Sequence, residues 1–207
     1  MAITYPLSVP TTIGLASVEF RAINAVATSQ SPFTYKQQVF VHPGQRWELS
    51  ASIPPCKRDL AEDWVGFLMS LKGNQGTFLI GDVNSTTARG SAGGTPLVKG
   101  GTQTGGTLLI DGATVSQTGW LKAGDYIQLG TGLGARLHKV LQDADSDGSG
   151  DVTLEIWPDL RASPADNATI LIANTVGLFR LKSNTQSWRI NDISSYGIQF
   201  EAIEVIA

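Results

Sequence analysis

The sequence predicts a mainly β protein with one helix: an outer β-domain built from both chain ends, and a small β-barrel inserted between them. Three observations carry that expectation. Apolar and polar residues alternate near both ends of the chain. Only residues 59–72 have convincing helical periodicity. A Gly/Ser/Thr-rich stretch, residues 84–106, separates the first strands from a series of shorter ones.

Near the N-terminus, Val18, Phe20, Ala22 and Ile23 form one apolar run and Gln38-Val39-Phe40-Val41 another. Trp47, Leu49, Ala51 and Ile53 alternate with Glu48, Ser50 and Ser52. A period of two is the mark of a strand with one buried face. Between these runs, His42-Pro43-Gly44 reads as a turn. Next come Leu60, Trp64, Phe67, Leu68 and Leu71, spaced to share one side of a helix. Such a stripe is expected to pack on a sheet. Asp59 with Glu62 resembles a capping box, and Lys72-Gly73 supplies a cationic last turn and a glycine stop. Residues 76–82, GTFLIGD, form a short apolar strand between glycines.

The stretch over residues 84–106 then reads as a long connection. Beyond it lie Leu108-Leu109-Ile110, residues 125–129, residues 135–140, the alternating Val152, Leu154 and Ile156, and Ile170-Leu171-Ile172. About five short strands separated by glycine turns predict a small barrel. After Asn174 longer strands return, and Tyr196, Ile198, Phe200 and Ala202 share one face. The expected division is residues 1–90 plus 175–207 for the outer domain and 91–174 for the insert, since insertions succeed where loop ends lie close.

Composition narrows the function classes. The 207 residues fit one large or two small domains, and 42% hydrophobic residues suffice for a sizeable core. Only 16% are charged, against roughly 25% in ordinary globular chains. A surface short of charge has to be covered by uncharged polar groups or by partner subunits. The net charge of −3 and the lack of a basic stretch argue against a nucleic-acid footprint. The single cysteine, Cys56, excludes an intrachain disulfide. The opening MAITYPLSVPTTIG has no basic n-region or unbroken apolar stretch, so no signal peptide is predicted, and no membrane insertion is expected.

Residues 143–151, DADSDGSGD, begin like a calcium loop. With Asp143 at position 1, Asp145, Asp147 and Asp151 fall at 3, 5 and 9, and Gly148 falls at 6. The bidentate glutamate required at position 12 is replaced by Leu154, and the flanks read as strands rather than helices. The four aspartates are thus a weak candidate cation loop, and a solvated hairpin turn is the expected structure. Gly130-Thr131-Gly132-Leu133-Gly134 echoes a dinucleotide fingerprint, but its third glycine comes one residue early and a strand follows, which predicts a hairpin. His42 and His138 are the only histidines, and neither belongs to a recognisable catalytic motif. No catalytic residue and no cofactor are predicted. Of the five tryptophans, Trp47, Trp64 and Trp188 sit in apolar patterns that suit a core.

Several segments together resemble a known family. They are Tyr5-Pro6-Leu7 with Pro10; Gln30-Ser31-Pro32-Phe33; Gln37 to Phe40; Gln45-Arg46-Trp47-Glu48 with Pro54-Pro55; the helix with Trp64, Phe67, Leu68 and Leu71 followed by Lys72-Gly73; Gly76 to Asp82; Leu121 to Gly130; and Arg136-Leu137-His138. This pattern, which covers nearly the whole chain, resembles the minor tail proteins of long-tailed bacteriophages, most of all the distal tail protein. The resemblance implies a β-sandwich or split-barrel domain carrying a helix, with an added OB-like barrel. It implies a structural, non-enzymatic subunit of the virion tail tip, made in the host cytoplasm. Such a subunit forms a ring, expected to be a homohexamer, between the tail tube protein and the hub and tip proteins. DNA passes through the lumen without specific binding, with the outer domain lining the channel. An alternative expectation is a carbohydrate-binding, host-receptor module, with Trp120, Trp157 and the aspartate turn on the inserted barrel. A tail-tip cell-wall hydrolase is a third, for which the sequence locates no acid/base pair.

Overall fold

A computed structural model describes residues 2–192 and 194–206. The chain is mainly β, with 46% of residues in strands, and it forms a half-barrel sheet and a nearly closed barrel sheet. The first sheet draws on both chain ends. Its strands are β1 (Leu7–Ser8), β2 (Ser17–Gln30), β3 (Gln37–Cys56), β4 (Phe78–Ile80), β11 (Gly177–Leu181), β12 (Trp188–Ile190) and β13 (Tyr196–Glu204). The second contains β5 (Gly94–Val98), β6 (Gly105–Ala113), β7 (Tyr126–Leu129), β8 (Arg136–Val140), β9 (Val152–Leu160) and β10 (Ile170–Leu171). The helix α1 spans Arg58–Ser70.

The half-barrel is ordered β1-β4-β11-β13-β3-β2, with β12 paired to β13 off this path. Its core lies under α1. Trp64, Phe67, Leu68 and Leu71 are buried as their spacing predicts, and Trp64 stacks on Phe200 of β13 at 5.9 Å between ring centroids. The Trp64 indole N–H donates to the Ile13 carbonyl at 3.2 Å, so the buried ring leaves no donor unpaired. Leu60 departs from the expected face. It is exposed, while Ala61 and Val65 are buried instead, which rotates the apolar stripe by one residue at the start of the helix. The capping box is also absent. Lys57 is the N-cap and no side chain caps the helix. The helix ends at Ser70, so Lys72 lies beyond its last turn. There Lys72 and Gly73 take positive φ values of 50° and 68°. A Cβ on Gly73 would come within 2.6 Å of the Asn184 side-chain oxygen and 2.9 Å of its backbone, so this stop is both conformational and steric.

The barrel is ordered β10-β7-β8-β9-β6-β5. Its two end strands meet through the Leu97–Thr169 bridge, with Val98 N–H donating to Ala168 O and Asn167 N–H donating to Val98 O, each at 2.9 Å. A closing strand therefore lies within residues 84–106, where sequence suggested only a connection. Pro96 and Val98 are buried in β5 although the flanks are glycine-rich. Packing on Leu108 and Ile110, rather than local propensity, makes this a strand. Trp120 fills the barrel core at 0% exposure and donates to Gly93 O at 2.7 Å.

Candidate functional site

The site begins with one long ribbon. β2 has 14 residues and β3 has 20, paired antiparallel nearly end to end. The expected turn at His42-Pro43-Gly44 is instead inside β3. Asn24 pairs with Gln45 and Val26 with Val41, so these three residues stand opposite Ala25 alone. Pro43 offers no N–H to a ladder, and a bulge accommodates it without ending the strand. The Gln38–Val41 run and the Trp47–Ile53 alternation thus belong to one strand.

The bulge divides the ribbon. On the inner side, Trp47, Leu49, Ala51 and Ile53 are buried. On the outer side every residue of 37–44 is exposed. Cross-strand partners share a face, so Val26, Val41, Thr28 and Val39 lie together on one side. Val26, Val39 and Val41 are 50%, 56% and 74% exposed, and Phe40 is exposed on the other side. At the tip, Ser31 N–H donates to Lys36 O at 3.0 Å, Tyr35 takes a positive φ of 55°, and Phe33 points outward at 92% exposure. β2 is also a terminal strand of the half-barrel, so among the described residues its outer backbone groups have no neighbouring strand. At the opposite side of the sheet β12 is another short edge, with Trp188 and Ile190 exposed. Trp188 is therefore not core, contrary to expectation.

The root of the ribbon is fastened to the barrel. Trp47 meets Trp157 edge to face at 4.5 Å, and its indole N–H donates to Leu137 O at 2.9 Å. The Trp157 indole donates to Asn24 Oδ1 at 2.8 Å. Arg161 forks onto both oxygens of Glu204 at 2.8 and 2.7 Å and also donates to Gln45 O. Glu204 is almost fully buried, and its Oε2 also accepts the Trp47 backbone N–H at 2.9 Å. A buried carboxylate so satisfied resists separation of the two sheets.

The four aspartates of residues 143–151 are parcelled out to different partners. Asp143 accepts from Ala123 N–H at 2.8 Å, and Asp145 accepts from Gly119 N–H at 2.6 Å. Asp147 accepts from Ser149 N–H and Asp151 N–H at 2.8 and 2.9 Å, and these donors hold its carboxyl below the ordinary value. Asp151 pairs with Lys99. Among the described residues no group of three or more His, Cys, Asp or Glu side chains is placed to hold a metal ion. The loop organises turns of the barrel through carboxylate–backbone bonds. Gly130 and the residues after it form the expected hairpin, with a 3₁₀ turn at Gly132–Gly134.

The histidines stand apart in environment. His42 is exposed in the bulge. His138 is buried on β8, and its Nδ1 lies 2.6 Å from Pro158 O. A carbonyl only accepts, so Nδ1 carries the proton and Nε2 keeps a lone pair. Burial pushes the His138 pKa down from 6.5 to about 4. Burial also pushes the Cys56 thiol up, which makes it a poor nucleophile. Asp82 accepts from Asn84 N–H in a local turn. Of the tryptophans considered for sugar stacking, Trp120 is wholly buried, and Trp157 is half-buried with Trp47 packed edge to face against it.

The sequence marks neither Arg136 nor Arg161 as a site residue; Arg136 enters only through the Arg136-Leu137-His138 segment. Arg136 and His138 are two residues apart on β8, which puts them on one strand face, and this much a period-two reading contains. Arg161 reaches them only through the fold. No protein-family model and no curated protein matches this chain.

Proposed function

We propose that the protein is a structural ring subunit of a long-tailed phage tail tip. In this role six copies join the tail tube to the hub and host-attachment apparatus and leave a channel for DNA. The observation that carries the reading is the outer half of the β2–β3 ribbon: a long edge strand with exposed valines and an aromatic tip, unpartnered among the described residues. Such an edge promotes uncontrolled pairing unless something covers it. A ring covers it with the next copy and leaves no free end.

Three further features support this role. The half-barrel has two unlike edges, β2 and the β1/β12 side, as a head-to-tail contact requires. The low charged fraction of 16% suits a surface covered by neighbours, and the net charge of −3 suits a lumen that must not hold DNA. The segments that resemble distal tail proteins include Gln30–Phe33 and Gln37–Phe40, at and beside the ribbon tip. Negative-stain microscopy of the purified protein tests the reading. Rings of six copies are expected; a strict monomer that adds no density to tail ends would sink it.

A further inference from the structure

A cleft of about 310 Å³ opens at one end of the barrel, between the β7–β8 hairpin and the segment that follows β9. Its volume falls at the small end of the range for ligand sites. Leu129, Leu160, Pro164 and Ala168 give it apolar walls, while Arg136, His138 and Arg161 line it with polar groups. The charges do not balance. Arg161 is neutralised by its two-pronged pair with Glu204. Arg136, only partly exposed, has no carboxylate partner among the described residues. Its guanidinium makes only long contacts, to Leu133 O at 3.5 Å and Ala135 O at 3.3 Å.

Removing a guanidinium partly from water without a counter-charge is unfavourable. Burial, and then the neighbouring Arg161, pull the Arg136 pKa below its ordinary value. Glu204 opposes this shift only in part, and an anion in the cleft would supply the missing counter-charge. The neutral His138 contributes no charge, but its Nε2 lone pair accepts a hydrogen bond and cannot donate one. A bare inorganic anion without a hydroxyl would find no use for that acceptor. A hydroxylated one would.

We infer that this cleft binds a small hydroxylated organic anion, with Arg136 gripping its carboxylate or phosphate oxygens and His138 Nε2 accepting from an adjacent hydroxyl. The planar fork of arginine suits either oxyanion, and the apolar walls suit a ring-sized body. This goes beyond the ring role and does not depend on it.

Calorimetric titration of the full chain with glucuronate, glucose 6-phosphate and glucose tests the inference. One or both charged sugars should bind in the millimolar range or tighter, and glucose should bind at least about tenfold more weakly. Which charged sugar binds distinguishes a carboxylate ligand from a phosphate. Arg136→Met keeps the apolar stem and should weaken charged-sugar binding at least about tenfold. Arg136→Lys keeps the charge without the fork and should lie between, which also covers a failure of the methionine variant to fold. The inference is overturned if neither charged sugar binds, if glucose binds equally well, or if a folded Arg136 variant binds as the parent does.

Discussion

The two sheets solve the same problem in opposite ways. Both are curved, mostly antiparallel layers with apolar cores, rich in aromatic rings in the half-barrel and aliphatic around Trp120 in the barrel. The barrel brings β5 back to β10 and satisfies its end strands through Leu97–Thr169 and the Val98 bonds. The half-barrel stops at β2 and runs that strand out past the bulge with its edge open. Bridging satisfies the border of the barrel sheet, whereas the half-barrel sheet is packed in its core and open along β2 among the described residues. We therefore propose assembly for the half-barrel and ligand binding for the nearly closed barrel.

The largest expected effects come from emptying either core. Trp64→Ala in the half-barrel and Trp120→Ala in the barrel should each cost about 3–5 kcal/mol in denaturant unfolding, since both rings are 0% exposed. Similar losses would mean that the open sheet is packed as tightly as the closed one. A cost under about 1 kcal/mol at Trp64 would break the comparison, because the outer domain would then depend on its neighbours for its core as well as its edge.

Next comes the tie between the sheets. Glu204→Ala leaves Arg161 uncompensated and the Trp47 N–H without its acceptor. A loss of about 3 kcal/mol or more is expected in the same unfolding experiment. A neutral outcome would mean that the sheets are held by the Trp47–Trp157 contact rather than by this pair.

A pH titration separates the regions further. His138 lies in the barrel with its pKa lowered from 6.5 to about 4. The unfolded chain binds a proton that the folded chain refuses between those values. Stability is therefore unaffected by this group above pH 6.5, falls as pH drops below it, and has lost about 3 kcal/mol once pH passes 4. Unfolding of the parent and of His138→Gln across that window should show a slope that the variant lacks. Equal slopes would contradict the assigned burial.

Much of this division was legible in the sequence. The Trp64 stripe, the Tyr196–Ala202 face and the shift to short glycine-punctuated strands each follow from local periodicity. What was not legible depends on distant partners. β5 looks like a linker because its strand character comes from Leu108 and Ile110. His42-Pro43-Gly44 looks like a turn because only the opposing register shows it to be a bulge. The aspartate run looks like a metal loop until Ala123, Gly119 and Lys99 claim its carboxylates one by one. Arg136 with His138 is visible as an i, i+2 pair, but the cleft it serves requires Arg161 and the chain after β9.

Smaller effects sharpen the contrast. A calcium chelator should leave the melting temperature and the assembly unchanged, because the aspartates are occupied by protein groups. A drop of several degrees would return the loop to the metal sites. Val41→Lys, on the exposed face of the ribbon, should change the stability of the isolated chain by no more than about 0.5 kcal/mol, since Val41 is 74% exposed.

Measuring the particle mass of the parent and of Val41→Lys in solution, by mass photometry at matched concentration, tests the central claim most directly. The parent should give six times the 22.0 kDa chain mass, and the variant should fall to the single chain while keeping its fold. A monomeric parent, or a folded variant that assembles as well as the parent, would contradict the account.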